Sequence, residues 1–164
     1  MNIKRFSDTD YAKLQLTPRF EELEVGFYNC KIKVPDAASL LFLNHELFGL
    51  EIYKFNSEKT EPFIIDCGAN IGLSVIYFKK LFPKAKVIAF EPDKKIFDYM
   101  KFNIYSSSLM GNKVLSPLNK KAKVHYRYIL DSISHTSEGD LYVIQIIPRY
   151  RSTQLLEGTL EILA

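Results

Sequence analysis

An α/β fold built around a parallel sheet is what this sequence predicts, on three observations. Short apolar runs, Phe63-Ile64-Ile65 and Val87-Ile88-Ala89-Phe90, read as strands buried on both faces and alternate with helical patterns. The first run ends in Asp66-Cys67-Gly68-Ala69-Asn70-Ile71-Gly72, a glycine-bearing turn into a helix. The second ends in Glu91, which follows Gly72 by about 20 residues, the separation between a glycine turn and a ribose-holding acid in nucleotide-binding sheets.

The elements follow in order. Residues 1–22 are mixed and polar, broken at Thr17-Pro18, and read as a loosely attached arm. Val25 to Val34 alternates enough for one or two short strands, which Pro35 stops. Asp36 or Ser39 caps a helix over roughly 38–48, with Leu40, Leu41, Leu43, Leu47 and Phe48 as its apolar stripe and Gly49 as its stop. Phe63 to Asp66 is the first sheet strand. The helix from Ile71 to Phe82 ends before Pro83, which cannot continue it. Val87 to Phe90 is the second strand, and Asp93 caps a helix on which Ile96, Phe97, Met100 and Ile104 recur at helical spacing. Chirality makes this β-α-β-α unit right-handed. Tyr105 to Ser108 reads as a loop and Lys113-Val114-Leu115 as a third strand. Lys123–Leu130 and Leu141–Ile147 are two more strand candidates, suited to an antiparallel hairpin. Gln154–Glu157 suggests a short helix and Thr159–Leu163 a further strand.

The turn is worded differently from the G-x-G-x-x-G that makes room for a pyrophosphate. Asp66 leads it and Asn70 occupies its middle, so a diphosphate would meet a carboxylate. S-adenosylmethionine carries a sulfonium and an ammonium and no phosphate, and an acid at a strand tip favours it. Asp66, Gly68, Asn70, Gly72 and Glu91 are therefore the candidate cofactor-binding residues. The plain alternative for Asp66 is a helix N-cap without a ligand.

Residues 63–103, together with Pro35-Asp36-Ala37-Ala38-Ser39, His45-Glu46-Leu47-Phe48 and Tyr53-Lys54-Phe55, resemble the FkbM-type S-adenosylmethionine-dependent methyltransferases. The resemblance spans roughly 30–104. It implies a Rossmann-like methyltransferase fold, S-adenosyl-L-methionine as donor, and O-methylation of a sugar or natural-product hydroxyl, so that the partner is a small-molecule or glycan acceptor. It puts Asp66, Gly68, Asn70 and Gly72 on the cofactor loop and Glu91 on the ribose acid. After 104 the likeness is faint. The family's acidic motif, close to L-K-x-D-x-E-G-x-E, has no counterpart before Ala164. The reading therefore expects a core incomplete at the C-terminus, lacking strands from the fourth onward, with donor contacts partly present, acceptor contacts poor and catalysis by this chain alone in doubt. It divides one domain into an extension, 1–60, and a Rossmann-like core, 61–164.

Composition sets the outer limits. With 164 residues and 47% hydrophobic content the chain buries one ordinary core. A net charge of +3 with scattered lysine pairs gives no nucleic-acid footprint. Cys30 and Cys67 form neither a disulfide framework nor a metal pattern, and no run approaches a membrane span, so a cytoplasmic protein without membrane or metal is expected. His45, His125 and His135 have no partner pattern that fixes a general base. Tyr53 is read as packing first and cofactor-pocket lining second. An unfinished sheet edge leaves room for a second copy of the chain. Two other classes remain beside the transferase: an NAD-linked oxidoreductase, and a non-catalytic remnant or interaction module.

Overall fold

The structure, a computed structural model, describes residues 5–91, 93–107, 113–115 and 141–145. Its first element corrects the expected loose arm. Helix α1, Asp8–Leu16, starts on Ser7, whose Oγ accepts the Asp10 N–H at 3.0 Å, and carries Asp8 and Asp10 in its first turn, where they suit the helix dipole. It closes at Thr17, which the following Pro18 holds extended. Phe6 and Leu14 anchor this segment in the core. Two buried apolar residues are too few to print a helical period on a polar stretch, which is why composition alone suggested an arm.

Strands β1, Leu23–Phe27, and β2, Cys30–Val34, form an antiparallel hairpin with Leu23 opposite Val34 and Phe27 opposite Cys30. Leu23, Val25 and Phe27 alternate inward, and Ile32 and Val34 do the same from β2. Asp36 then caps helix α2, Ala37–Asn44. Its carboxylate accepts the Ser39 N–H at 3.0 Å, the Ser39 hydroxyl, the Phe20 N–H at 3.1 Å and the Arg19 guanidinium at 2.9 Å. Burial pushes this carboxyl up, but the hydrogen bonds outweigh burial and hold it at about 2. A depressed carboxyl stabilises the fold above its unfolded pKa and loses that contribution as pH falls through the folded value. Asp36→Ala is accordingly expected to cost about 1–3 kcal/mol at pH 7 and to blunt the wild-type loss of stability between about pH 4 and pH 2, read from urea midpoints.

The helix expected over 38–48 does not stay regular. It widens after Asn44 into a π-helical turn, His45–Gly49, with Leu50 N–H donating to the His45 carbonyl at 2.8 Å. Insertions of this kind re-aim side chains, and here Glu46 and Leu47 face the glycine turn.

The central sheet has four strands: β3, Phe63–Cys67; β4, Lys86–Phe90; β5, Lys113–Leu115; and β6, Leu141–Gln145. Their spatial order is β5-β4-β3-β6, and every pair is parallel. Counted along the sheet strands, that order is third, second, first, fourth, the arrangement of a Rossmann-like sheet, whose switch point lies between β3 and β6. The fourth strand is therefore present, and the expectation that strands are missing from the fourth onward is corrected for that strand. Leu141–Gln145 joins β3 in parallel, with Asp66 opposite Ile144 in register. The expected strand at 123–130, its hairpin, and the elements proposed at 154–157 and 159–163 lie outside the described residues.

Helix α3, Leu73–Leu81, and helix α4, Lys94–Ser106, complete the β-α-β-α unit. Asp93 caps α4 by accepting the Ile96 N–H at 2.9 Å, and the helix runs through Tyr105 and Ser106, where a loop was expected. One apolar cluster joins Phe6, Leu14, Val25 and Ile32 of the N-terminal segment to Phe78 and Met100 of the sheet unit. The hairpin and α2 thus share the core with the strands that carry the glycine turn.

Candidate functional site

The turn between β3 and α3 bends through three left-handed residues, Gly68 at φ 102°, Asn70 at 51° and Gly72 at 85°. Glycine takes such angles without penalty, and asparagine is among the side chains that tolerate them best. The Asn70 side chain accepts the Ile71 N–H at 2.7 Å, closing the bend locally. Gly72 has a second reason to lack a side chain. A Cβ there would stand 3.1 Å from Met100 Cγ and 3.3 Å from Ile104 Cγ1, because α4 crosses directly against the turn.

The turn is also fastened to the tip of β4. Gly68 and Ala69 both donate their N–H to the Phe90 carbonyl, at 2.9 and 2.8 Å. Asn70 donates its own to Glu91 Oε2 at 2.9 Å, and Asp93 N–H donates to Glu91 Oε1 at 2.8 Å. An ionised carboxylate offers about four acceptor positions, so both Glu91 oxygens keep one in reserve. Burial raises the Glu91 carboxyl, opposed by the two backbone N–H groups.

Asp66 lies on the adjacent strand, level with Ala89 of β4, and is wholly buried. Its Oδ2 accepts the Ser74 hydroxyl at 2.5 Å, while Oδ1 has no partner. Burial pushes this carboxyl up to about 7; the Ser74 hydroxyl opposes the rise and the nearby Glu91 charge adds to it. Its partner is a side chain on the helix rather than a first-turn N–H, and the N-cap of α3 is Gly72, with no side-chain cap bond. Asp66 is thus no N-cap. A buried carboxylate with an empty acceptor position is a costly arrangement, of the kind found where a ligand completes the bonding.

A small cleft adjoins the turn, with Glu46, Leu47 and Tyr53 on one wall and Asn70, Leu73 and Ser74 on the other. Tyr53 lies flat against Phe78, ring centroids 6.3 Å apart, so it both packs and lines. Burial, then the charges of Asp66 and Glu46, push its phenol up to about 12, which keeps it a hydrogen-bond donor at ordinary pH. Cys67 is pushed up to about 11 by burial and by Asp66 and is an inert thiol.

The structure thus gathers all five sequence-predicted residues at the ends of β3 and β4. Glu46 and Ser74 were not foreseen at the site. For Ser74 a signal existed, a lone polar residue inside the apolar run Leu73–Phe78. His45 stands on the π-helical turn with its ring against Gly49, and His125 and His135 lie outside the described residues. Among the described residues no group of His, Cys, Asp or Glu is arranged to hold a metal ion, and no helix is long and apolar enough to cross a membrane.

Fold and site together define a Rossmann-like α/β protein with an acidic, glycine-bent turn at the switch-point edge of its sheet. Residues 75–164 match the family of unknown function DUF5686, and the chain belongs to that family. Two curated relatives are similar to it: methyltransferase sdnD of Sordaria araneosa, 39% identical over 75 residues, and methyltransferase 1 of Beauveria bassiana (strain ARSEF 2860), 30% identical over 70 residues. The matched segments are 45% and 43% of this chain but 29% and 28% of those proteins. Among solved structures, M. jannaschii TYW2 in complex with AdoMet aligns with 65% of this chain and 48% of its own, at a TM-score of 0.47 and 20% identity.

Proposed function

We propose that this chain holds S-adenosylmethionine for methyl transfer, with a sugar or natural-product hydroxyl as acceptor. The observation that carries the reading is the pair of buried carboxylates on neighbouring strand tips, Glu91 with unused acceptor positions on both oxygens and Asp66 with one oxygen unpartnered. Glu91 would take the two ribose hydroxyls. Asp66 would face the cationic end of the donor, whose charge favours the ionised carboxylate that burial otherwise disfavours. The bound donor supplies an activated methyl group on sulfur. The chain's own contribution is to hold that group in line with the acceptor oxygen and keep water away. The FkbM-type resemblance of residues 30–104 and the names of the two curated relatives support the same class, and the resemblance alone supports the O-methyl acceptor.

The turn's own bonding speaks against a dinucleotide. A pyrophosphate is gripped by free backbone N–H groups, and here those of Gly68, Ala69 and Asn70 are spent on Phe90 and Glu91. Calorimetric titration with S-adenosylmethionine, S-adenosylhomocysteine and NAD tests this. Binding of the first two without NAD is expected; binding of NAD alone would transfer the site to hydride chemistry. Glu91→Ala is expected to weaken donor binding by about 1.5–3 kcal/mol, as loss of charged hydrogen bonds does. Unchanged affinity removes Glu91 from the site.

A further inference from the structure

Asn103 sits in the last turn of α4 and is wholly buried. A buried side-chain amide must place each of its polar atoms, and this one does so across two distant parts of the chain. Its Oδ1 accepts the Lys33 N–H at 2.7 Å, and its Nδ2 donates to the Lys33 carbonyl at 3.0 Å and to the Ile71 carbonyl at 2.9 Å. Towards β2 the amide acts as a one-residue strand, completing the outer edge of the hairpin. Towards the turn it fixes the carbonyl lying between left-handed Asn70 and left-handed Gly72, whose Cα packs on Met100 and Ile104 of the same helix. The N-terminal end of α4 is in turn tied to Glu91 through the Asp93 N–H. One helix therefore touches the hairpin, the glycine turn and the second acid.

We propose that Asn103 is a positioning residue for the donor turn: by bonding Lys33 and Ile71 with a single amide, it makes docking of the N-terminal hairpin set the turn's readiness to bind. The inference rests on the donor-binding reading above. It assigns the hairpin a part in ligand affinity although no hairpin residue lines the cleft.

Other links between hairpin region and α4 supply the control. Tyr99 donates its hydroxyl to Glu22 at 2.5 Å, a bond that involves neither Ile71 nor the turn. Should Asn103→Ala leave the turn in its binding arrangement about one tenth of the time, affinity for S-adenosylhomocysteine falls about tenfold. Tyr99→Phe is expected to stay within about twofold of wild type, as an independent site does. Both are titrated at a temperature where circular dichroism shows them folded. A folded Asn103→Ala that binds like wild type overturns the proposal, as does an equal loss in both variants. Hydrogen exchange of the unaltered protein decides the matter if Asn103→Ala does not fold: S-adenosylhomocysteine is expected to slow exchange of the Lys33 amide, and an unchanged rate overturns the coupling. Wild type that binds neither S-adenosylmethionine nor its product overturns the functional reading itself, whereas wild-type binding with an indifferent Asn103 overturns this inference alone.

Discussion

Asp66→Asn is expected to flatten the pH dependence of stability between pH 5 and 8. An aspartate that titrates at 3.8 when exposed and at about 7 in the fold binds its proton more tightly when folded. Its contribution is fully present below the unfolded value and is lost as pH rises through the folded one. Over pH 5 to 8 that loss amounts to about 2–3 kcal/mol, at 1.36 kcal/mol for each unit. Urea midpoints of wild type should therefore fall more steeply across the range than those of Asp66→Asn. Tyr53 and Cys67, raised to about 12 and 11, stay neutral throughout; Glu91 remains in both proteins and its own slope cancels in the comparison. Donor affinity should move the other way. A cation beside Asp66 favours the ionised form, so binding strengthens as pH rises towards 8, and Asp66→Asn should bind weakly with little pH dependence. Parallel midpoints in the two proteins would show that Asp66 is not a strained, unpaired group.

Gly72→Ala should be the most damaging single methyl in the described residues. At φ 85° a Cβ is strained, at about 1–3 kcal/mol. The methyl must also displace Met100 or Ile104, at 3.1 and 3.3 Å, adding about 1–3 kcal/mol of overpacking. A total of about 2–6 kcal/mol is expected in urea unfolding. Met100→Ala made together with Gly72→Ala should add less damage than Met100→Ala causes alone, since it opens the space the methyl needs. Strict additivity would mean that α4 does not press on the turn.

Much of the sheet unit was legible because its signals are local. Strands β3 and β4 are built on the apolar runs Phe63–Ile65 and Val87–Phe90, bounded by Asp66, Lys86 and Glu91, and Asp93 caps α4 with a bond three residues away. The site was legible for the same reason, since Asp66 to Gly72 is one turn and Glu91 ends the next strand. Long-range facts were not. Nothing in Leu141–Gln145 says that it pairs parallel to β3 rather than folding back on a neighbour, because a short apolar strand suits either. The helix α1 hides in a polar segment that buries only Leu14 from its own residues. Asn103 was missed although it interrupts the apolar face made by Phe97, Met100 and Ile104; a polar residue in that stripe signals a buried bonding role, but its partners at Lys33 and Ile71 are known only from the fold. Glu91's bond to the Asn70 N–H is likewise geometric, and it turns two separate candidates into one device.

The most direct test is an amide NMR titration of the protein with S-adenosylhomocysteine, followed at Gly68, Asn70, Ser74 and Asp93. The account predicts that these four amides, at the turn, the start of α3 and the Glu91 carboxylate, shift together with one dissociation constant, while Asp8 and Tyr11 of α1 stay still. Shifts confined to residues away from the ends of β3 and β4, with Asn70 and Asp93 unmoved at saturation, would contradict it.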